Sequence, residues 1–180
     1  MTTTAPTLLE SIVATPVGDA RILTDHEVVV AADFADGTGR LEAYLARHLA
    51  RPDRRPADST AATALRAYLD GDLDALTRVE VRAVGSPFQQ DVWTALRRIP
   101  AGSTWTYAEL ATAAGHPGAS RAAGTANGAN PIAIFVPCHR VIPATGGVGG
   151  YAGGSDRKAW LLDHEGTTPR PDVSLTRRCE

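Results

Sequence analysis

Cys138 and His139 are adjacent in the sequence and are followed by Arg140, inside the otherwise apolar run IFVPCHRVIP. The three residues bring together a nucleophile, a base and a permanent positive charge. A free thiol with a pKa of about 8.5 is only slightly ionised at neutral pH, so a cysteine nucleophile needs a base or a cation beside it. The run therefore predicts that Cys138 reacts as a thiolate, with His139 as the candidate base.

The alternative is a structural pair, because a cysteine in an apolar strand is usually an inert small hydrophobe and a histidine is often a satisfied core residue. Pro137 argues against regular strand pairing since it lacks an amide donor, and the glycine-rich stretch TGGVGGYAGG begins soon after. We expect Cys138 at a strand end facing this loop. Successive strand residues point to opposite faces, so His139 needs a bridging water or a sharp turn to reach the thiol.

Length and composition are those of an ordinary globular protein, with 180 residues, 43% hydrophobic and 21% charged. The two cysteines, Cys138 and Cys179, cannot form a disulfide framework, and no ligand pair has a usable metal spacing. We therefore expect no metal and no cofactor. Without a signal peptide or a long apolar segment, the chain is predicted to be cytoplasmic, with no membrane partner. Its net charge of −2 does not indicate a nucleic-acid surface.

The elements that must position the cysteine fall into two predicted domains. In the first, residues 1–85, three apolar runs separated by turns predict an antiparallel meander. Helical spacing then predicts a helix over Leu41–Leu49 and another around Leu65–Leu69, separated by the breaker RPDRRPAD. Alternation over Val79–Ala83 predicts a half-buried strand.

The second predicted domain, residues 86–168, is mainly helical. Capping boxes that begin at Ser86 and Thr106 predict two helix starts, and SRAAGTANGAN predicts a third helix made of small residues. Helix, glycine-containing turn and helix form a helix-turn-helix. Small side chains suit close approach to a DNA groove, although tight packing within the protein is the alternative. A last helix is predicted over 155–165, and the tail 169–180 is predicted to be disordered.

The run NPIAIFVPCHRVI, followed by GYAGG and WLLDHEG, resembles the methylated-DNA-protein-cysteine methyltransferases, or O6-alkylguanine-DNA alkyltransferases. The resemblance covers about residues 8–168 and is most specific over 86–166. It implies an α/β (α+β) protein in which an N-terminal ribonuclease-H-like sheet with helices precedes a winged-helix-like helix-turn-helix domain that bears the active cysteine.

The resemblance also implies direct-reversal DNA repair by a monomer. The protein would bind double-stranded DNA through the minor groove, flip out O6-alkylguanine and move the alkyl group irreversibly to Cys138, with O4-methylthymine as a second candidate substrate. His139 would be the base, acting through water, and Glu165 would orient it. Tyr107 would donate to the departing guanine, and Asn130 would brace the turn before the active segment.

On the third helix the resemblance makes Arg121 the finger that enters the base stack. The other predicted DNA contacts are Ser120, Ala122, Thr125, Ala126, Asn127 and Gly128. The predicted pocket residues are Tyr107, Val148, Gly149, Tyr151 and Ala152. Taken singly, a core tyrosine, a solvated arginine and a turn asparagine are the simpler interpretations, and only their joint occurrence in register favours function.

Two other functions stay open at this point. One is a DNA-binding protein that senses the lesion without transferring the alkyl group, for which an unreactive Cys138 would be diagnostic. The other is a cysteine hydrolase that regenerates its thiol in each cycle. Because no cysteine precedes Cys138, we expect neither a cysteine-rich zinc domain nor zinc ligands in the N-terminal domain.

Overall fold

The structure is a computed structural model that describes residues 7–36, 39–50 and 52–167, so the predicted tail lies outside the described residues. Two units make up the chain. The first consists of the chain up to Val84 together with Pro131–Phe135, and the second of Gly85–Asn130 together with the chain from Val136 onward. The sequence predicts a continuous second domain, whereas residues 131–135 belong to the first unit because Ala32 forms an isolated bridge with Ile132.

A four-stranded sheet forms the centre of the first unit. Its strands are β1 Thr7–Val13, β2 Ala20–Asp25, β3 Val28–Phe34 and β4 Asp53–Pro56. The order is β3-β2-β1-β4, in which β1, β2 and β3 pair antiparallel and β4 runs parallel to β1. The predicted meander is confirmed. The sequence does not reveal β4, because DRRP offers a strand no apolar alternation, although charge and proline are typical of a sheet edge.

Two helices pack on this sheet. Helix α1, Arg40–His48, buries Leu41 and Leu45 in a core cluster with Leu8 and Leu23 of the strands. Helix α2, Thr60–Leu69, begins at Ser59, whose hydroxyl accepts from the amide of Ala62. Both predicted helices are confirmed, since each has an apolar face at helical spacing.

The strand predicted over Val79–Ala83 is wrong. Residues Ala75–Arg78 form a 3-10 helix, and the segment that follows makes only an isolated bridge between Val81 and Val29 of β3. Its side chains do alternate between half-buried and exposed, as the pattern indicates. The alternating pattern therefore predicted correctly which side chains are half-buried. It cannot show whether the backbone pairs with a neighbouring strand over several residues.

The second unit is mainly helical, as predicted, and the α+β class is confirmed. Its helices are α3 Pro87–Leu96, α4 Tyr107–Ala113, α5 Ser120–Gly128 and α6 Ser155–His164. Two short parallel strands, β5 Trp105–Thr106 and β6 Val141–Ile142, join them. Both capping boxes are formed, at Ser86 and at Thr106. Helices α4 and α5 with the turn between them form the predicted helix-turn-helix.

Helix α3 packs against α5 and is hydrogen-bonded to it. The indole Nε1 of Trp93 donates to the carbonyl of Ala126 at 2.9 Å, and both residues are buried. A small-residue helix offers little apolar area, so this directional bond helps to position it. In the part of the chain that is described, no helix is long and apolar enough to cross a membrane.

We predict that Gly85→Ala destabilises the protein. A Cβ at Gly85 would lie 2.6 Å from the ring of Trp93 and 2.9 Å from Gln89 Oε1, so the indole or the backbone must shift. Such overpacking costs about 1–3 kcal/mol. The check is the midpoint of urea unfolding, followed by tryptophan fluorescence. Val84→Ala, at the exposed neighbouring position, is the control, and equal midpoints for the two variants would contradict the prediction.

Candidate active site

Cys138 lies on a run of tight turns. Pro137, with φ −80° and ψ 65°, is the centre of an inverse γ-turn in which the amide of Cys138 donates to the carbonyl of Val136 at 2.8 Å. Cys138–Arg140 is then one turn of 3-10 helix. The predicted strand end is wrong, because the 3-10 turn comes first and strand β6 begins only at Val141. Successive residues of a 3-10 helix are about 120° apart, so Cys138 and His139 do not point to opposite faces.

The carboxylate of Glu165 is shared by two hydrogen-bond donors, His139 and Arg140. Glu165 accepts from His139 Nε2 at 3.0 Å through Oε1, and Arg140 donates to both carboxylate oxygens, from Nε at 2.9 Å and from Nη2 at 2.8 Å. A third Arg140 donor, Nη1, reaches the carbonyl of Ile99 at 2.5 Å. Glu165, His139 and Arg140 are all buried. The imidazole is thus fixed through one ring nitrogen.

This environment sets the protonation of the network. Burial lowers the pKa of His139, although Glu165 opposes the shift, so the ring is neutral at pH 7. Burial alone would raise the pKa of Glu165, but hydrogen bonds from His139 and Arg140 outweigh it and lower the pKa to about 2. The Nδ1 atom of His139 has no hydrogen-bond partner among the residues that the structure describes. With Nε2–H directed at the carboxylate, Nδ1 is left to accept a proton.

A second cation, Lys158, lies near the thiol and is fully buried. Its Nζ donates to the carbonyl of Val141 at 2.6 Å and to that of Gly150 at 3.2 Å. Burial lowers the pKa of Lys158 to about 8, although the negative charge of Cys138 opposes the shift. The lysine is therefore still largely charged at pH 7, and it ties the strand after the nucleophile to the glycine-rich loop.

The thiol lines a pocket of about 270 Å³ within the second unit. The lining residues are Tyr107, Gly124, Asn127, Gly128, Cys138, Gly150, Tyr151 and Ala152. Three of the predicted pocket residues, Tyr107, Tyr151 and Ala152, are among them. Val148 and Gly149 are not. Gly149 has φ +68°, and a Cβ there would lie 2.6 Å from Pro143, so its position reflects backbone packing.

Tyr107, the first residue of α4, is half-buried beside this thiol. Burial raises the pKa of its phenol, and the negative charge of Cys138 raises it further. The phenol therefore keeps its proton at neutral pH. It can act as a hydrogen-bond donor inside the pocket.

Helix α5 separates its predicted DNA contacts into two faces. Arg121, Ala122, Thr125 and Gly128 are exposed and Ser120 is half-buried. Ala126 and Asn127 are buried, so their side chains do not belong to the exposed face on which the sequence placed them. The reason is helical phase, because residues 123, 126, 127 and 130 fall on the side that faces the protein.

Asn130 lies just beyond this helix and is also buried. Its Nδ2 donates to the carbonyl of Val136 at 2.8 Å, two residues before Cys138. The side chain thereby holds the start of the nucleophile turn.

Comparison with known proteins gives this site its context. The sequence model of a family described as 6-O-methylguanine DNA methyltransferase, DNA binding domain, matches residues 87–167. A methylated-DNA–protein-cysteine methyltransferase of Salmonella typhimurium is 43% identical over 164 residues, which are 88% of this chain and 96% of the relative. The chain belongs to the methylated-DNA–protein-cysteine methyltransferase family.

Solved structures of this methyltransferase family agree with the fold. An O6-methylguanine methyltransferase of Mycobacterium tuberculosis superposes with a TM-score of 0.75 at 38% identity, covering 94% of this chain and 99% of the other. The M. tuberculosis OGT protein in complex with DNA gives a TM-score of 0.70 at 36% identity, covering 93% and 99%.

Sequence reasoning missed two residues of the site, Arg140 and Lys158, and assigned a third, Asn127, to the wrong face of α5. Arg140 was noted as a charge beside the thiol, but its pairing with Glu165 spans 25 positions and leaves no local pattern. Lys158 looks like an ordinary helix lysine. Asn127 was placed on the DNA face. Only the phase of α5, read from the buried positions Ala123 and Ala126, could have moved it to the inner side.

We predict that Lys158→Met slows the reaction of Cys138 with iodoacetamide at pH 7, because a nearby ammonium favours the thiolate. In the wild type the benefit fades as pH rises through about 8, where Lys158 loses its charge. Rates are measured by mass spectrometry of the peptide that contains Cys138. Arg157→Met, the control, removes the same charge one residue away. If Lys158→Met reacts at the same rate as this control, Lys158 does not favour the thiolate and serves only to bond the two backbone carbonyls.

Acid unfolding should report on Glu165. Its folded pKa of about 2 lies below the usual 4.5, so its stabilising effect is complete above pH 4.5 and is lost as the pH falls towards 2. Glu165→Gln should flatten the dependence of the unfolding free energy on pH in this window, by up to about 1.4 kcal/mol per pH unit. Asp163→Asn, at an exposed position two residues before Glu165, is the matched control. Equal slopes in Glu165→Gln and the wild type would refute the assignment.

Proposed function

We propose that this protein repairs DNA directly, by moving the alkyl group of O6-alkylguanine from duplex DNA to Cys138 once per chain. The observation that carries the proposal is a pocket that holds a thiol and a protonated phenol and is lined in part by helix α5. Family membership supplies the reaction, since the relatives are named methylated-DNA–protein-cysteine methyltransferases. The same displacement applies to O4-methylthymine, the second candidate substrate.

DNA is the macromolecular partner, bound here by a single copy of the chain. The exposed face of α5, with Thr125 and Gly128 in line with Arg121, presents a narrow surface suited to the minor groove. We assign Arg121 to the space left in the stack when the damaged base leaves it. Flipping costs a few kcal/mol, and less for a poorly paired lesion, which favours damaged sites before any chemistry.

The chemistry is a displacement at the alkyl carbon. The thiol proton passes through one water to Nδ1 of His139, and the sulfur then attacks the carbon, so that an S–C bond forms while the C–O6 bond breaks. The bonding pair leaves with the guanine oxygen. Glu165 and Arg140 hold the imidazole in the tautomer that can accept the proton.

Tyr107 completes the proton balance. We propose that its phenol donates its proton to the guanine as negative charge develops on the departing base. The phenol then regains a proton from the protonated His139. The thiol proton therefore ends on guanine, and no oxidant, reductant or cofactor is consumed. The product thioether carries no acidic proton and has no leaving group that water can displace in this site, so the reaction stops after one event.

We predict that the intact protein gains the mass of one methyl group after incubation with a duplex that contains O6-methylguanine. Peptide mapping should place the methyl group on Cys138, with no gain in Cys138→Ala. The increase should stop at one group per chain at any excess of DNA. Binding without a mass change would support a lesion sensor, and repeated turnover of a small substrate would support a hydrolase; either result would overturn the proposal.

A further prediction concerns Arg121. Arg121→Ala should weaken binding to damaged duplex and slow transfer from it, because the space left by the flipped base is no longer filled. Transfer from the free base O6-benzylguanine should be unchanged, since no base pair has to open. The two rates are compared by the same mass assay, and a matching loss with the free base would place Arg121 in the chemistry instead.

A further inference from the structure

The segment that carries the nucleophile has little regular backbone bonding of its own. Around Cys138 it consists of the γ-turn at Pro137 and one turn of 3-10 helix, and only then does the two-residue strand β6 begin. Tight turns of this kind close few hydrogen bonds per residue, so their geometry depends on side chains that reach in from elsewhere.

Two asparagines of one helix end supply these bonds. Asn130 Nδ2 donates to the carbonyl of Val136, and Asn127 Nδ2 donates to the carbonyl of Cys138 itself at 3.3 Å. The Val136 carbonyl already accepts the amide of Cys138, and the Cys138 carbonyl accepts the amide of Val141. Each carbonyl next to the reacting side chain therefore carries one backbone donor and one asparagine donor.

The side chain of Asn127 is well placed for this role and poorly placed for another. It is only 6% exposed, it lines the pocket together with Cys138, and its Oδ1 has no hydrogen-bond partner within the described ranges. The opposite amide orientation would set two oxygens against each other, so the amide nitrogen faces the Cys138 carbonyl. This bond is the one polar contact that the structure gives the side chain among the described residues.

We propose that Asn127 is a positioning residue for alkyl transfer and not a DNA contact. Its amide fixes the carbonyl of Cys138 and thereby the direction of the Cα–Cβ bond that carries the sulfur. An in-line displacement tolerates little misalignment, so a loose carbonyl lowers the rate of the chemical step more than it lowers binding. The inference rests on the proposed function, because transfer to Cys138 is the reaction whose rate it concerns.

The linkage also has a mechanical consequence. Asn127 points inward from the helix whose outer face carries Arg121 and Thr125. The surface proposed to contact DNA and the residue that holds the carbonyl of Cys138 thus belong to the same helix, α5. A helix seated on DNA brings the thiol to a defined position relative to the groove.

The test compares Asn127→Leu, which keeps the size and removes the donor, with Asn127→Asp, which replaces the donor by a second acceptor. Transfer from free O6-benzylguanine is followed over a range of concentrations, and the Kd for undamaged duplex is measured separately. We expect the limiting rate of Asn127→Leu to fall by about tenfold, as for the loss of one buried hydrogen bond. The half-saturating concentration and the Kd should change by less than about twofold.

Asn127→Asp adds a readout that a purely structural role would not change. Its carboxylate lies beside the carbonyl and near the thiol, so it disfavours the thiolate and moves the pH–rate profile of transfer to higher pH than in Asn127→Leu. Thr112→Val is the surface control, since Thr112 is exposed and its hydroxyl bonds within its own helix. Its rate and Kd should equal those of the wild type.

Folding defects are separated by stoichiometry. A misfolded fraction lowers the number of benzyl groups bound per chain at completion but leaves the rate of the remaining molecules unchanged, and that result would overturn the inference. So would a weaker Kd for DNA with an unchanged free-base rate, which would return Asn127 to the DNA face. A wild type that gains no methyl group from a duplex that contains O6-methylguanine would instead refute the proposed function itself.

Discussion

The buried carboxylate of Glu165 is the group on which the rest of the site depends. A charge with no exposed surface is stable only when it is fully hydrogen-bonded, and here His139 and Arg140 meet that need together. The same contacts settle the tautomer of the imidazole and fix the end of α6 against the segment after the nucleophile. Without Arg140 the carboxylate would draw the imidazole towards its charged form, and a charged imidazole cannot accept the thiol proton.

Helix α5 shows how one element serves two purposes when its side chains are small. Gly124 lies beside Tyr107, and a Cβ there would make ordinary van der Waals contact with the phenol ring at 3.4 Å. Gly128 is exposed and also lines the pocket. Apolar burial cannot hold so slight a helix, so Trp93 and the asparagines at its C-terminal end hold it through directional bonds. The small residues of α5 are therefore suited to a helix that lines the pocket on one side and is exposed on the other.

The features that could be predicted from sequence were those with a local cause. The capping boxes at Ser86 and Thr106, the meander and the helix-turn-helix follow from patterns a few residues long, and the pairing of His139 with Glu165 was expected from the family resemblance. What could not be predicted depends on distant partners. The strand β4 exists because β1 offers it a parallel edge, and Val81 fails to be a strand because β3 meets it only once. The inward orientation of Asn127 depends on the helical phase of α5, which is hard to recognise in a helix made almost wholly of small residues.

The near-complete burial of Cys138, at 5% exposure, has a consequence for a protein that reacts once. An acceptor of this kind must persist intact until it meets a lesion, in surroundings that contain soluble electrophiles and oxidants. A thiol with so little exposed surface meets such molecules slowly, whereas in the proposed mechanism helix α5 sits on the DNA and an extrahelical base enters the pocket that the thiol lines. Because each chain would remove one alkyl group, the number of lesions that can be repaired equals the number of chains whose Cys138 is still unmodified. The burial of this one sulfur atom therefore preserves the repair capacity of the protein.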